Sequence, residues 1–279
     1  MSLLLTYPAF ILLVVSPALH YEYADDATRL RADLLQHYDK LVPPKSHRTN
    51  SFSRAGADCS MQVRFFKVDS VRQAEGRMRI KVWMRLGWTD KRLSWEPAAY
   101  GNITETQMLA ASIHEPEETE IWLPDIQPYN SREGIGTTLD KALAIVNSSG
   151  SVFWSRPGML DLMCKFSGLV AFPYDQLSCT MEIGGWSMSA AFQGIQAFPD
   201  GLFIFSNQET TAGSSYTEYE IESVHASLTS NEYSVASSSP WPIVAFRIRL
   251  NRASVYYNTL LRACASLEPA APSARAFEP

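Results

Sequence analysis

The chain has 279 residues, of which 46% are hydrophobic and 19% charged, so it can bury at least one sizeable core. Its formal net charge of −5 shows no excess of basic residues, which argues against nucleic-acid binding. No Gly-rich phosphate loop, CxxC pair or HExxH signature occurs, and the five histidines are scattered. We therefore predict no enzyme active site, no cofactor and no metal site.

The first 20 residues form an apolar run without Lys, Arg, Asp or Glu. Ser16 and Ala18 make a small-x-small cleavage pattern, so residues 1–18 are predicted to be a signal peptide; a buried N-terminal strand is the alternative. A signal peptide directs the chain into the secretory pathway, where disulfides form. The sequons at Asn102 and Asn147 then become candidate glycosylation sites.

Residues 25–44 are predicted to form one amphipathic helix that ends at Pro43-Pro44. The prediction rests on apolar side chains that recur at helical spacing, namely Leu30, Leu34, Leu35, Tyr38 and Leu41. A polar link over residues 45–58 follows.

From Met61 onward the pattern changes to period two, which is typical of half-buried antiparallel strands. It is clearest over residues 61–71 and 77–88, and shorter runs follow at 142–149, 151–157, 162–168, 179–187, 219–228 and 242–250. We therefore predict an all-β fold: an immunoglobulin-like β-sandwich of about ten strands with one N-terminal α-helix.

Cys164 and Cys179 enclose fourteen residues. A bridge between them would stabilise the fold by about 3 kcal/mol, which by itself would explain the pair in a secreted sandwich. Cys59, placed in the polar link, and Cys264, in the Pro/Ala-rich tail, are left over. We expect both to be free, with a bridge between them as the alternative.

Several motifs occur in a specific order: WTD-x-x-L-x-W from Trp88 to Trp95, WLPD ending at Asp125, FPYD between the two cysteines, and GGWS around Trp186. Together they resemble the extracellular ligand-binding domain of Cys-loop (pentameric ligand-gated) receptors, and most of all the nicotinic acetylcholine type. The resemblance covers residues 25–252.

The resemblance implies a pentamer of sibling subunits with a ligand site between neighbours. One subunit supplies a principal face, here Tyr129, Trp186, Tyr233 and Trp241. The next supplies a complementary face, here Trp83, Ile145, Phe153 and Ser155. Such a site takes a small cationic amine, acetylcholine- or choline-like, because aromatic faces replace the electrostatics that the cation loses with its water.

This sequence departs from the nicotinic pattern in three places. Ala236, Ser237 and Ser238 stand where principal subunits carry two adjacent cysteines. Trp241 and Met188 each stand where a tyrosine is usual. Three alternatives to an acetylcholine site therefore remain open. The ligand is another amine, or it is choline-like, or the chain is an accessory subunit that uses only its complementary face. Three further aromatic residues are assigned to the core: Trp88, Trp95 and Trp122.

In the family, the loop between the two cysteines touches the channel domain, so the resemblance makes its turn a coupling tip: Phe172, Pro173, Tyr174 and Asp175. Residues 253–279 resemble the degenerate start of a first transmembrane segment and a disordered tail. Membrane attachment would require a pore domain that the sequence lacks. The alternatives are a secreted amine binder, similar to the soluble acetylcholine-binding proteins, and an adhesive or carbohydrate-binding sandwich.

Overall fold

The computed structural model describes residues 25–44, 57–113, 115–133, 139–166, 172, 174–205, 218–233, 239–252, 257, 259 and 262. The predicted signal peptide, Pro173, residues 236–238, Cys264 and most of residues 253–279 lie outside this range. Within the part described, no helix has the length and apolar character needed to cross a membrane.

Helix α1 runs from Asp26 to Leu35 and begins with an Asp25 cap, whose carboxylate accepts the N–H of Thr28 at 2.7 Å. The prediction of a helix as far as Leu41 was wrong. Beyond the helix, the Tyr38 hydroxyl bonds to the buried carboxylate of Asp90 at 2.6 Å, which ties this segment to the sandwich. Leu41 is left 75% exposed.

The described residues after this helix form eleven strands: β1 (Ala57–Arg72), β2 (Arg77–Thr89), β3 (Glu105–Met108), β4 (Gln127–Pro128), β5 (Ala144–Asn147), β6 (Ser151–Met163), β7 (Gln176–Gly184), β8 (Gln193–Ala197), β9 (Phe203–Ile204), β10 (Tyr219–Asn231) and β11 (Trp241–Arg252). Buried and outward-facing residues alternate along β2 and β6, as the period-two pattern predicted.

The strands form two sheets that enclose one apolar core. The larger sheet has the order β3-β5-β6-β2-β1-β8, with β9 also paired to β1. The smaller sheet has the order β10-β11-β7-β4. The core lies between the inward faces of both sheets, for example where the rings of Phe65 on β1 and Phe246 on β11 meet at 5.6 Å. The predicted all-β sandwich with one N-terminal helix is therefore confirmed.

Two assignments along the strands were wrong. Residues 162–168 were predicted as a separate strand, but Leu162 and Met163 are the end of β6 and residues 164–166 belong to no strand; residues 167 and 168 lie outside the described range. Cys59 does not lie in a polar link: it belongs to β1, pairs with Ile195 on β8, and has a fully buried, free thiol. Burial raises the pKa of that thiol well above its ordinary value.

The WTD and WLPD motifs meet at one buried junction. The carboxylate of Asp90 accepts the Tyr38 hydroxyl and two guanidinium N–H groups of Arg92 at 2.7 and 2.9 Å. The Tyr38 oxygen in turn accepts the N–H of Trp122 at 3.0 Å. The rings of Trp88 and Trp122 pack edge to face in the core, so both are structural, as predicted.

Candidate ligand-binding site

The four predicted principal-face residues lie together at one end of the smaller sheet. Gly184, the last residue of β7, pairs with Gln127 on β4 and with Ile243 on β11. Asn231, the last residue of β10, pairs with the first residue of β11. All four aromatic residues lie within two positions of these last pairs: Tyr129, Trp186, Tyr233 and Trp241.

Trp186 is the most exposed of the four, with 70% of its surface open to solvent. Its ring meets that of Tyr129 edge to face, with 6.2 Å between centroids. The Tyr129 hydroxyl donates to the carbonyl of Gly185 at 2.8 Å, which fixes this ring against the loop that carries Trp186. A large aromatic side chain outside the core, beside an anchored partner ring, is an available ligand surface.

The buried Asp125, from the WLPD motif, holds the Trp186 loop in place. Its carboxylate accepts the backbone N–H groups of Ser187 and, at 3.1 Å, of Met188. The side chain of Gln193 fixes the Asp125 main chain, because Oε1 accepts its N–H at 2.9 Å and Nε2 donates to its carbonyl at 2.6 Å. Sequence reasoning missed Gln193, which is 68 residues away along the chain.

The two glycines before Trp186 are required by close packing. A Cβ on Gly184 would lie 2.5 Å from the Tyr129 hydroxyl and 2.9 Å from the carbonyl of Pro242. A Cβ on Gly185 would collide with the carbonyl of Met188. A side chain at Gly184 would therefore displace Tyr129 or the β11 backbone, and one at Gly185 would displace the loop that carries Trp186.

Tyr233 and Trp241 form a second edge-to-face pair, with centroids 6.4 Å apart. Tyr233 is 46% exposed and Trp241 is half-buried. The pKa of Tyr129 is raised to about 12, mainly by burial and then by the neighbouring Tyr233 and the carboxylates of Asp125 and Glu182. The acidic neighbours among these causes favour a positive charge at this end of the sheet.

The predicted complementary-face residues share the outer face of the larger sheet. Ile145 on β5 pairs with Phe153 on β6, and both are more than a third exposed. Ser155 follows two residues later on β6 and pairs with Arg85 on β2, beside Trp83. The register therefore brings the four into one outward patch. The Phe153 ring also meets that of Phe198 at 6.4 Å, a contact the sequence did not indicate.

Trp83 has close neighbours that sequence reasoning missed. Its ring meets that of Phe66 edge to face at 4.8 Å. The guanidinium groups of Arg64 and Arg85 lie 5.5 and 5.9 Å from its centroid, within the range of cation–π attraction.

The neurotransmitter-gated ion-channel ligand binding domain family matches residues 27–254 of this sequence. The chain belongs to that family. Acetylcholine receptor subunit alpha-L1 of Schistocerca gregaria is 28% identical over 85% of this chain, and subunit alpha-like 2 of Drosophila melanogaster is 29% identical over 85%. Subunit alpha-type acr-7 of Caenorhabditis elegans is 30% identical over 89%. The chain spans only 40%, 39% and 44% of these relatives' lengths.

The disulfide predicted between the two cysteines around the FPYD motif is present. Cys164 and Cys179 are bonded, with their Cα atoms 5.2 Å apart. The N–H of Cys164 donates to the carbonyl of Gly76 at 2.7 Å, so the bridge is attached to the turn between β1 and β2. Gly76 has a φ of +61°, and a Cβ there would lie 2.8 Å from the Cys164 carbonyl oxygen, so the turn requires glycine.

The predicted coupling tip divides into exposed and buried parts. Phe172 and Tyr174 are 53% and 66% exposed. Asp175 is turned inward, where its carboxylate accepts two hydrogen bonds from the guanidinium of Arg252, at 2.7 and 3.0 Å. The Arg252 side chain is only 4% exposed.

Three aromatic rings surround the Arg252 guanidinium, with centroids at 4.5, 4.9 and 5.2 Å: Tyr219, Phe172 and Tyr257. Glu218 adds a second carboxylate, and the Tyr219 hydroxyl is hydrogen-bonded to Gln73 in the turn after β1. The hydrogen bonds from Arg252 hold the pKa of Asp175 below its ordinary value.

Both predicted glycosylation sites are exposed. Asn102 has a φ of 62°, in the turn after Tyr100. Asn147 is the last residue of β5, and its Oδ1 accepts the N–H groups of Ser149 and Ser151 across the turn into β6, at 3.1 and 3.0 Å. Among the residues described, no cluster of His, Cys, Asp or Glu could hold a metal ion.

Proposed function

We propose that this chain is the extracellular ligand-binding domain of a nicotinic acetylcholine receptor-like channel subunit, and that its principal face binds a small cationic amine at an interface between subunits. The observation that carries the proposal is Trp186, 70% exposed beside the anchored ring of Tyr129. The family match over residues 27–254 and the acetylcholine receptor relatives support it.

The chemistry of the principal face suits such a ligand. Each aromatic face that a desolvated ammonium group contacts contributes about 0.5–2 kcal/mol. The carboxylates near Tyr129 add a negative field without forming a direct ion pair. The methyl groups of a quaternary amine would bury apolar surface against the same rings.

Localisation is part of the proposal. The Cys164–Cys179 bridge requires an oxidising compartment, which the secretory pathway provides. The chain would then face the extracellular side, and assembly with sibling subunits would complete the site. The secreted, pore-less amine binder differs from a channel subunit only outside this domain, so the full-length transcript separates the two.

A fluorescence titration tests the ligand class. The full chain is titrated with acetylcholine, choline and tetramethylammonium, and each of two matched variants is titrated likewise. We expect a saturable change in tryptophan emission that Trp186→Phe abolishes and that Trp95→Phe retains, because the Trp95 indole N–H bonds to the carbonyl of Ile103 away from this cluster. Emission unaffected by all three amines, or an equal response in Trp186→Phe, would contradict the proposal.

A further inference from the structure

The outer face of the smaller sheet carries a groove that the proposed amine site does not use. Strand β11 lies between β10 and β7 in that sheet, and its inward residues belong to the core. Arg247 and Arg249 alternate with these buried residues, so both point outward, where they are exposed. Together with small side chains such as Ala245 they line a groove of about 410 Å³, which is within the usual range for ligand pockets.

The side chains that lie across this groove can all donate hydrogen bonds, and none of them is a carboxylate. The pairing of β11 with β10 on one side and β7 on the other places them in two rows. The rows are His225, Arg247 and Thr180, and then Ser223, Arg249 and Ser178.

Neither arginine is neutralised by the part of the chain that the structure describes. No described residue forms an ion pair or a hydrogen bond with the guanidinium of Arg247 or Arg249. The acidic residues that flank the groove are Glu182, which pairs with Ala245, and Glu222, which lies in the bulge of β10. Two guanidinium groups on one face of a strand, two residues or about 7 Å apart, repel each other, and an anion between them would relieve that repulsion.

The position of the groove restricts the class of ligand. The backbone of β11 is hydrogen-bonded to β10 and to β7, so an extended peptide cannot add to it as a further strand. Recognition must therefore come from side chains alone. Guanidinium groups bind oxyanions through paired hydrogen bonds, and serine and threonine hydroxyls can exchange hydrogen bonds with sugar hydroxyls. The oxidising compartment that the Cys164–Cys179 bridge requires is also the one in which sulfated glycans are made and displayed.

We propose that the groove around Arg247 and Arg249 is a second binding site of this domain, which takes a sulfated glycan and holds one sulfate group between the two guanidinium groups. Because Glu182 and Glu222 flank the groove, it suits a short sulfated stretch and not a long uniform polyanion. The site is separate from the amine site, since Arg247 lies six residues along β11 from Trp241, or about 20 Å.

Calorimetric titration of the full chain with a heparin-derived tetrasaccharide at low salt tests the proposal. We expect saturable binding that the double variant Arg247→Gln, Arg249→Gln weakens at least about tenfold, because charge-assisted hydrogen bonds to the sulfate are lost. The same tetrasaccharide without its sulfate groups keeps its carboxylates, and it should bind at least about tenfold more weakly to the unmodified chain. Circular dichroism verifies that each variant is folded.

The matched control is the double variant Arg72→Gln, Arg79→Gln. It removes the same two charges, but from exposed side chains on β1 and β2 in the larger sheet. Because these charges are remote from the groove and screened by solvent, we expect the affinity for the tetrasaccharide to fall by less than about twofold.

No binding of the tetrasaccharide to the unmodified chain would overturn the proposal. So would equal weakening in the two double variants, because binding would then follow the general charge of the chain. Equal affinity for the sulfated and the unsulfated tetrasaccharide would disprove the role of sulfate. A tyrosine-sulfated peptide that binds as tightly as the tetrasaccharide would overturn the assignment to a glycan. The amine titration at Trp186 concerns other residues, so a failure of either proposal leaves the other intact.

Discussion

Replacing Asp175 by Asn removes the negative charge from a buried ion pair and changes little else in shape. The carboxylate is fully buried and accepts two hydrogen bonds from Arg252, whose side chain is 4% exposed. An amide keeps one acceptor oxygen but turns an NH2 group toward guanidinium donors. Arg252 would remain in place with a charge that is only partly balanced.

The expected loss follows from these contacts. Removing one partner of a buried pair costs about 3–5 kcal/mol, because the other charge stays desolvated. Glu218 and three aromatic rings still contact Arg252, which places the loss near the lower limit, at about 3 kcal/mol. For a domain of this size, that corresponds to a melting temperature lower by about 6–12 °C.

Urea denaturation and thermal melting at pH 7, with the disulfide intact, measure the change. The matched control is Glu218→Gln, which removes the other carboxylate that pairs with Arg252. Because the Glu218 side chain is 47% exposed, this change should lower the free energy of unfolding by less than about 1 kcal/mol. Combining Asp175→Asn with Arg252→Gln should cost less than the sum of the two single changes, because the second removes the uncompensated charge.

The stability loss in Asp175→Asn should also change with pH in a predictable direction. Because Arg252 holds the pKa of Asp175 below its ordinary value, the contribution of this carboxylate is complete above about pH 4, the unfolded value, and is lost as the pH falls through the lower folded value. The stability difference between the unmodified chain and Asp175→Asn should therefore shrink on acidification. Equal stability of Asp175→Asn and Glu218→Gln at pH 7 would refute the reasoning.

Three further changes have defined outcomes. Asp90→Asn should destabilise the chain by about 2–3 kcal/mol in urea denaturation, because the buried acceptor of Tyr38 loses its charge; a loss below 1 kcal/mol would contradict this. Gly184→Ala should weaken amine binding at least tenfold in the fluorescence titration, and adding Tyr129→Phe should recover part of the loss, since the new Cβ meets the Tyr129 hydroxyl. Cys59 should resist iodoacetamide at pH 8 until denaturant is added, as peptide mass analysis would show; labelling within minutes would disprove its burial.

Much of the fold could be read from local pattern. The alternation over residues 77–88 located β2 to within one residue of its end, because a strand buried on one face must repeat every two residues. The end of α1 could not be read that way, since a tertiary bond from Tyr38 to Asp90 determines the path of the chain beyond it. The two-residue strands β4 and β9 are too short to carry a period.

In the candidate site, too, some residues could be predicted from the sequence and others could not. Its aromatic residues were predicted from their places relative to the motifs, as GGWS marks Trp186. The side chains that contact these aromatic residues were missed, because strand register determines which residues become neighbours. Arg64 lies directly across from Trp83 in the pairing of β1 with β2, and a shift of one residue would remove it from that face.

The same two strands carry the aromatic cluster and the buried ion pair at opposite ends. Strand β11 begins at Trp241 and ends at Arg252, about 35–40 Å away at the usual rise per residue. Strand β7 begins after Asp175 and ends two residues before Trp186, and nine residue pairs join it to β11. Displacing one end therefore requires moving both strands together or breaking their ladder. If Asp175→Asn changes the amine affinity, the ends are energetically coupled, and by reciprocity the amine must change the stability of the ion pair equally. If the affinity is unchanged, the ion pair serves stability alone.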